Sequence, residues 1–152
     1  MAAAPAFLAA PAWAASGCAP DRVDLRWPGG RQSFAVEVAD DADERATGLM
    51  FREQMDPASG MLFVYEQPQR VAFWMKNTLI PLDMVFADAT GRVTRVHSMA
   101  RPQDETPIPG GNEVKFVLEI NGGLAARLGI EPGAELRHPL VGAGAAWSCD
   151  PG

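Results

Sequence analysis

The sequence predicts an α+β, mostly β domain: an antiparallel rolled sheet or a small barrel, with two short helices over its open ends. Three observations support this prediction. Short runs in which apolar and polar residues alternate are separated by turn residues, a pattern typical of hairpin-linked strands. Only two segments carry helix-start signals. At 152 residues and 47% hydrophobic, the chain is long enough to bury one core.

The chain is predicted to have four parts. Residues 1–14 resemble a truncated export signal, 15–22 form an N-terminal tail, 23–140 form the single globular domain, and 141–152 form a C-terminal tail. The first fifteen residues are Ala-rich and uncharged, and Ala12-Trp13-Ala14 has the small-x-small pattern of a cleavage site. This stretch is too short to span a bilayer as a helix. We therefore expect a periplasmic or secreted protein, with lipoprotein anchoring through Cys18 as a minor alternative.

The two cysteines, Cys18 and Cys149, lie near opposite ends of the chain. In an exported protein an even pair that brackets the domain is typical of one disulfide. We predict that a Cys18–Cys149 bridge ties the two tails together. The alternative is two unrelated thiols in the tails.

Charge and motif content exclude several function classes. The net charge of −6 does not favour nucleic acid or an anionic membrane as a partner, since both attract clustered Lys and Arg. No Walker loop, His-Glu-x-x-His or Gly-x-Ser-x-Gly motif is present. We expect no cofactor, no membrane insertion of the mature domain, and a monomer whose partner is a small anionic ligand or another protein.

In the first half of the domain, residues 23–27 and 34–38 alternate around a Pro-Gly-Gly turn and predict a hairpin. A helix is predicted to start at Asp41, with Glu44 completing a capping box. An apolar face packed on the sheet is predicted for it, formed by Ala42, Ala46, Leu49 and Met50. A second hairpin is predicted from residues 61–65 and 71–76 around the polar residues 66–69.

In the second half, residues 83–87 and 93–97 predict a third hairpin, with an irregular second strand because Val93 and Val96 are out of phase. Residues 101–112 are Pro- and Gly-rich and predict a long loop. A half-buried strand is predicted over 114–120, with Lys115, Val117 and Glu119 on its second face. A short helix over 124–128 follows, with Asn121 as its N-cap and Gly129 at its end. The last strand is predicted over 134–137.

The candidate site lies within residues 73–86, where a short polar corner joins two apolar runs. It sets Lys76 and Asp83 among the most hydrophobic residues of the chain, and a buried charge must find a partner or reach solvent. One interpretation is a structural salt bridge between the two. The other is a cradle for an anionic ligand such as a carboxylate, with the candidate binding residues Arg52, Trp74, Lys76, Asn77, Thr78 and Asp83.

Three motifs in this region resemble the domain of unknown function 192 family of bacterial and archaeal proteins, many of which carry an export signal. They are RATGLMFR at 45–52, GMLFVY at 60–65, and FWMKNT at 73–78 followed by IPLD at 80–83. The likeness extends from about Phe34 to His138. It implies a compact, mostly β domain with two short helices, but no activity, because the family is uncharacterised.

Three functions remain open from the sequence. The first is a non-catalytic binding or accessory domain with a small polar pocket at the Lys76–Asp83 corner. The second is a soft-metal protein that binds copper through Met75 and His97, since thioether sulfur is a ligand for Cu(I). Core packing is the alternative role for methionines such as Met50, Met61, Met84 and Met99. The third is a hydrolase that uses His97 or Asp83, although no nucleophile lies at a defined spacing from either.

Overall fold

The computed structural model describes residues 17–150. The predicted export signal over 1–14 lies outside this part of the chain. The elements of the described part are β1 Arg22–Trp27, β2 Gly30–Ala39, α1 Ala42–Thr47, β3 Ser59–Phe73, β4 Leu82–Ala87, β5 Val93–Ala100, β6 Ile108–Asn121, α2 Leu124–Leu128, β7 Glu135–Arg137 and a 3-10 helix, Pro139–Val141.

The seven strands form one curled sheet in the order β5-β4-β6-β3-β2-β1-β7. All neighbours are antiparallel except β2 and β3, which are parallel. The two edges approach each other at one end, where the Val93 amide donates to the Ala134 carbonyl at 2.8 Å and the Leu136 amide to the Gly91 carbonyl at 2.7 Å. The sheet is therefore a half-barrel, and the predicted mostly β, α+β fold is confirmed.

Apolar side chains cover both faces of the central strands. Every residue of β4 is buried, which is typical of a strand packed on two sides. The first core cluster fills the curl of the sheet and includes Phe34, Leu62, Val85, Phe116, Leu118, Ile120 and the α2 residues Leu124 and Ala125. The second covers the other face and includes Leu49, Met61, Phe63, Met75, Met84, Phe86 and Val117.

The predicted hairpin around residues 66–69 is wrong, because 59–73 form one long strand, β3. Both halves of β3 pair with β6, and the register moves from Val64 opposite Phe116 to Gln69 opposite Val114. The polar residues between Val64 and Gln69 are accommodated as a bulge in the strand instead of a turn. The hairpins β1–β2 and β4–β5 were predicted correctly, as was the irregular register of β5.

The helices differ from prediction in their packing and capping. The capping box between Asp41 and Glu44 is present, but α1 ends at Thr47, and Ala42 and Ala46 are exposed. Because the helix has less than two turns, its predicted apolar face does not form. The N-cap of α2 is Gly123; the predicted cap Asn121 donates its side-chain amide to the Met55 carbonyl at 2.8 Å. The predicted loop over 101–112 ends earlier, because β6 begins at Ile108.

A disulfide joins Cys18 to Cys149, as predicted, and ties the C-terminal segment to the start of the domain. Trp147 in this segment is buried, and its ring contacts three guanidinium groups, those of Arg26, Arg31 and Arg137. Within residues 17–150 no helix is long and apolar enough to cross a membrane.

Candidate functional site

Backbone hydrogen bonds fix the polar corner, residues 74–81, between β3 and β4. Asn77 has a left-handed backbone with φ 53°, and its carbonyl accepts from the Phe51 amide at 2.8 Å. The Thr78 carbonyl accepts from the Gln103 amide at 3.0 Å. The Thr78 hydroxyl donates to the Lys76 carbonyl at 3.0 Å, so the side chain of this buried residue stabilises the turn.

Lys76 and Asp83 form no ion pair in this fold, so the structural salt bridge is wrong. Lys76 is exposed, and its Nζ lies 5.1 Å from the ring centroid of Trp74. Asp83 is fully buried, and its partners are backbone amides. Lys76 therefore carries its charge in solvent, and the Asp83 carboxylate needs no cation.

Three backbone amides donate to the Asp83 carboxylate. The Met99 and Gly123 amides donate to Oδ1 at 2.8 and 3.0 Å, and the Ala125 amide donates to Oδ2 at 2.8 Å. Gly123 and Ala125 belong to the first turn of α2, whose N-cap residue has no side chain to satisfy its amides. Asp83 caps this helix from β4, and its side chain is fully buried, so it is not open to a ligand.

Arg52, predicted to join the site, binds the Glu37 carboxylate through both terminal nitrogens. This pair lies in a shallow groove with Met55 and Ser59, apart from the residues of the polar corner. The prediction missed Glu37 because β2 and the loop after α1 are adjacent only in the folded chain.

The copper candidates lie in different surroundings. Met75 is fully buried in the second core cluster with Met61 and Met84, which is the packing role expected for methionine. His97 is half-buried on β5 and lines a groove with Met99 and Arg101. Residues 17–150 contain no group of three or more His, Cys, Asp or Glu placed to hold a metal ion.

A cavity of about 280 Å³ opens beside the corner and is the candidate functional site. Its walls come from the end of α1 and the turn after it, from β3, and from the polar corner. Trp74 and Thr78, two of the predicted binding residues, line it. Its other lining residues include Arg45, Gly48, Leu49, Phe63, Tyr65, Phe73 and Glu119. This volume is close to the lower end of the roughly 300–1,000 Å³ typical of small-molecule sites.

Gly48 allows the turn after α1 to lie close to Phe63, in the wall of the cavity. Gly48 ends α1 with φ 50°, a conformation that favours glycine. A Cβ at this position would approach the Phe63 ring to 3.1 Å. The absence of a side chain therefore lets the turn after α1 pack directly on the aromatic wall.

Glu119 on β6 forms the floor of the cavity. It lies opposite Met61 of β3 and Met84 of β4, and directly opposite residues share a face of the sheet. Only 4% of its surface is exposed. Burial raises its pKa from the ordinary 4.5 to about 8, because an apolar environment penalises the charged form.

Within residues 17–150 the Glu119 carboxyl group forms no ion pair and no side-chain hydrogen bond, and burial raises its pKa. In this part of the chain every side-chain polar atom that is sealed from solvent has a partner. The carboxyl oxygens of Glu119 must therefore reach the cavity. An acid held in this way can donate a proton or a hydrogen bond to a molecule that enters.

Arg45 and Tyr65 form the polar side of the cavity. The Arg45 guanidinium lies 5.0 Å from the Tyr65 ring centroid and donates one hydrogen bond to the Val64 carbonyl at 2.9 Å. No acidic side chain of residues 17–150 pairs with it. Burial raises the pKa of the Tyr65 hydroxyl; Arg45 lowers that pKa and Glu119 raises it. Arg45 and Glu119 thus both act on the pKa of Tyr65, and all three residues line the cavity.

Sequence reasoning missed Glu119, Arg45 and Tyr65 as site residues. The alternation over 114–120 assigned Glu119 to a solvent face. Val117 on that same face gave the available signal, because an apolar residue there indicates that a second layer covers the strand. Arg45 and Tyr65 carried no local signal, since only the fold brings the end of α1 over β3.

The comparison with curated proteins gave no match. The profile of the DUF192 family, described as "Uncharacterized ACR", matches residues 25–138. A crystal structure of a protein of unknown function from Novosphingobium aromaticivorans DSM 12444 is 45% identical, with a TM-score of 0.75; the match covers 76% of this chain and 83% of that one. A crystal structure of a Sinorhizobium meliloti 1021 protein, described as a proposed transcription regulator, is 42% identical, with a TM-score of 0.74. The match covers 76% of this chain and 91% of that one. This chain is therefore a member of the DUF192 family.

Proposed function

We propose that this chain is a non-catalytic binding domain whose cavity over Glu119 takes a small organic ligand. The observation that carries the proposal is the Glu119 carboxyl group, which is buried, lacks a partner among the described residues and lines an open cavity. An unpartnered buried acid lowers the stability of the fold, so a ligand that completes its hydrogen bonds would recover part of that loss.

The proposed location is outside the cytoplasm, in the periplasm or the medium. A disulfide between the tails supports it, since such bonds persist in oxidising compartments. The Ala-rich residues 1–14 support it through their resemblance to an export signal.

Transcription regulation, the description given to the Sinorhizobium relative, is not favoured for this chain. A net charge of −6 disfavours contact with DNA phosphates, whose binding depends on clustered Lys and Arg. Copper binding and hydrolysis have no specific observation in their favour, because Met75 packs in the core and Asp83 is occupied by three backbone amides.

Blocking the cavity tests the proposed function. Ala46 lines the cavity and Ala42 does not, although both are exposed on α1. Small acids, amides and amines would be titrated into the wild-type chain and followed by NMR. Ala46→Trp should weaken the binding of any compound that shifts cavity resonances by tenfold or more, and the matched control Ala42→Trp should leave it unchanged. Binding that survives Ala46→Trp, or no binding by any compound, would refute the proposal.

A further inference from the structure

We propose that this cavity selects a small carboxylate, held between the Arg45 guanidinium and the protonated carboxyl group of Glu119. The inference rests on the proposed function and names the class of its ligand. Arg45 supplies the positive charge, and Glu119 supplies a hydrogen-bond donor. The ligand carboxylate accepts from both.

The residues that line the cavity carry one fixed charge, which is positive, when Glu119 is neutral. The titratable residues that line it are Arg45, Tyr65 and Glu119. Arg45 is held in place by the Val64 carbonyl and the Tyr65 ring. Lys76 is not part of the lining, but it adds a second positive charge 5.1 Å from the ring of Trp74, which is. An organic cation would meet both charges on entry, whereas an anion would be attracted by them.

The surroundings of Glu119 keep it protonated near neutral pH. Its neighbours across the sheet, Met61 and Met84, carry no charge. Tyr65 of β3 also lines the cavity, and burial holds the pKa of its hydroxyl above the ordinary value of 10.0. With the pKa of Glu119 at about 8, roughly nine in ten molecules carry the proton at pH 7. A carboxylic acid kept neutral by an apolar site can donate a hydrogen bond to an oxyanion.

This arrangement also predicts how binding depends on pH. Above pH 8 Glu119 becomes an anion, and it would then repel the ligand carboxylate instead of donating to it. Binding should therefore weaken as the pH rises, by roughly 30-fold between pH 7 and pH 9.5 when affinity follows the protonated fraction. An amine ligand would show the opposite trend, because it needs the ionised acid.

The test uses the full chain and matched probes of one carbon skeleton: benzoate, benzamide and benzylamine, with acetate, acetamide and ethylamine as a smaller set. Dissociation constants would be measured by NMR titration from pH 6 to 9.5. Carboxylates should bind at least tenfold more tightly than the amides and amines at pH 7. Arg45→Gln should weaken them tenfold or more, whereas Arg52→Gln, which changes an arginine outside the cavity, should not.

Glu119→Gln is the decisive variant because glutamine remains an uncharged donor at every pH. It should retain carboxylate binding within about threefold at pH 7 and remove the loss of affinity at high pH, while Glu119→Ala should abolish binding. Preferred binding of amides or amines that Ala46→Trp blocks would overturn this inference and leave the proposed function intact. Carboxylate affinity that rises with pH, or that Glu119→Gln abolishes, would also overturn it. No binding by any probe would overturn both.

Discussion

Two buried carboxylates on neighbouring strands, Asp83 of β4 and Glu119 of β6, have opposite fates in this fold. Asp83 lies opposite Ile120 on the face that packs with α2, and three backbone amides satisfy it. Glu119 lies opposite Met84 on the other face, and no donor of the described chain reaches it. The comparison teaches that burial of a charge does not itself mark a site. A site is indicated where the fold leaves the charge without partners.

The largest effect on stability is expected from removing the Asp83 carboxylate, which accepts hydrogen bonds from three backbone amides. Asp83→Ala should lower the free energy of unfolding by about 4 kcal/mol, since each hydrogen bond to a charged group contributes about 1.5 kcal/mol or more. Asp83→Asn should cost about half as much, because its amide oxygen still accepts at the Oδ1 position while its NH₂ faces the Ala125 amide. Urea denaturation would measure both values. Equal and small losses, under about 1 kcal/mol, would contradict the capping role of Asp83.

The second prediction concerns the alkaline side of the stability profile. The folded pKa of Glu119, about 8, is above its unfolded value of 4.5, so the folded state binds more protons between these values. Stability is therefore highest below pH 4.5 for this group and falls as the pH rises through 8, by about 3 kcal/mol between pH 5 and pH 8.

The matched control for that prediction is Glu119→Gln, which cannot titrate. Denaturation curves of wild type and variant across pH 5 to 9 should diverge, with the wild type losing stability relative to the variant as the pH rises. Parallel curves would mean that Glu119 ionises in the folded chain without cost, and the unpartnered acid would then no longer distinguish the cavity.

The third prediction concerns His138 and stability at acidic pH. Like Glu119 this residue is buried, but like Asp83 it has hydrogen-bond partners. Its Nε2 donates to the Pro20 carbonyl at 2.8 Å and its Nδ1 accepts from the Leu140 amide at 3.1 Å. Burial lowers its pKa below 6.5, so its contribution to stability is present above pH 6.5 and is lost as the pH falls below that value.

The expected loss is about 1 kcal/mol, the contribution of one hydrogen bond that the protonated ring cannot accept. It should be measured in the Glu119→Gln background, since Glu119 has the opposite trend in the same pH range. In that background His138→Gln should remove the loss below pH 6.5. If His138→Gln leaves the dependence of stability on pH unchanged, another group causes the loss of stability below pH 6.5.

The elements that sequence reasoning predicted correctly depend on contacts close in sequence. The hairpins β1–β2 and β4–β5 pair adjacent segments, and the capping box of α1 lies within four residues, so alternation and turn residues were sufficient. The long strand β3 was predicted as a hairpin because its partner β6 is about fifty residues away. Pairing at that distance leaves no local pattern, and the polar bulge in β3 resembles a turn.

The same limit applies to the site. The prediction located the correct corner, and the structure brings Trp74 and Thr78 from it to the cavity; their role in binding stays a prediction. One of its two interpretations paired Lys76 with Asp83, because apolar neighbours surrounded both in sequence. The partners of Asp83 are backbone amides from β5 and the start of α2, which no residue-type pattern could indicate. Glu119 was assigned to solvent because one strand does not show which of its faces a second layer covers.

The smallest effect on stability is expected at Lys76. This exposed residue of the polar corner is compared with the buried acids Asp83 and Glu119. Lys76→Met should change the free energy of unfolding by less than about 1 kcal/mol, because an exposed contact between an ammonium group and a Trp ring contributes no more than that. Urea denaturation of this variant, alone and combined with Asp83→Asn, should give additive losses, since the two side chains share no contact. A loss of several kcal/mol, or strong coupling with Asp83, would restore the salt bridge that the geometry excludes. If stability is unchanged while carboxylate affinity falls a few fold, Lys76 acts on the ligand through its charge beside Trp74, and Arg45 and Glu119 hold the ligand inside the cavity.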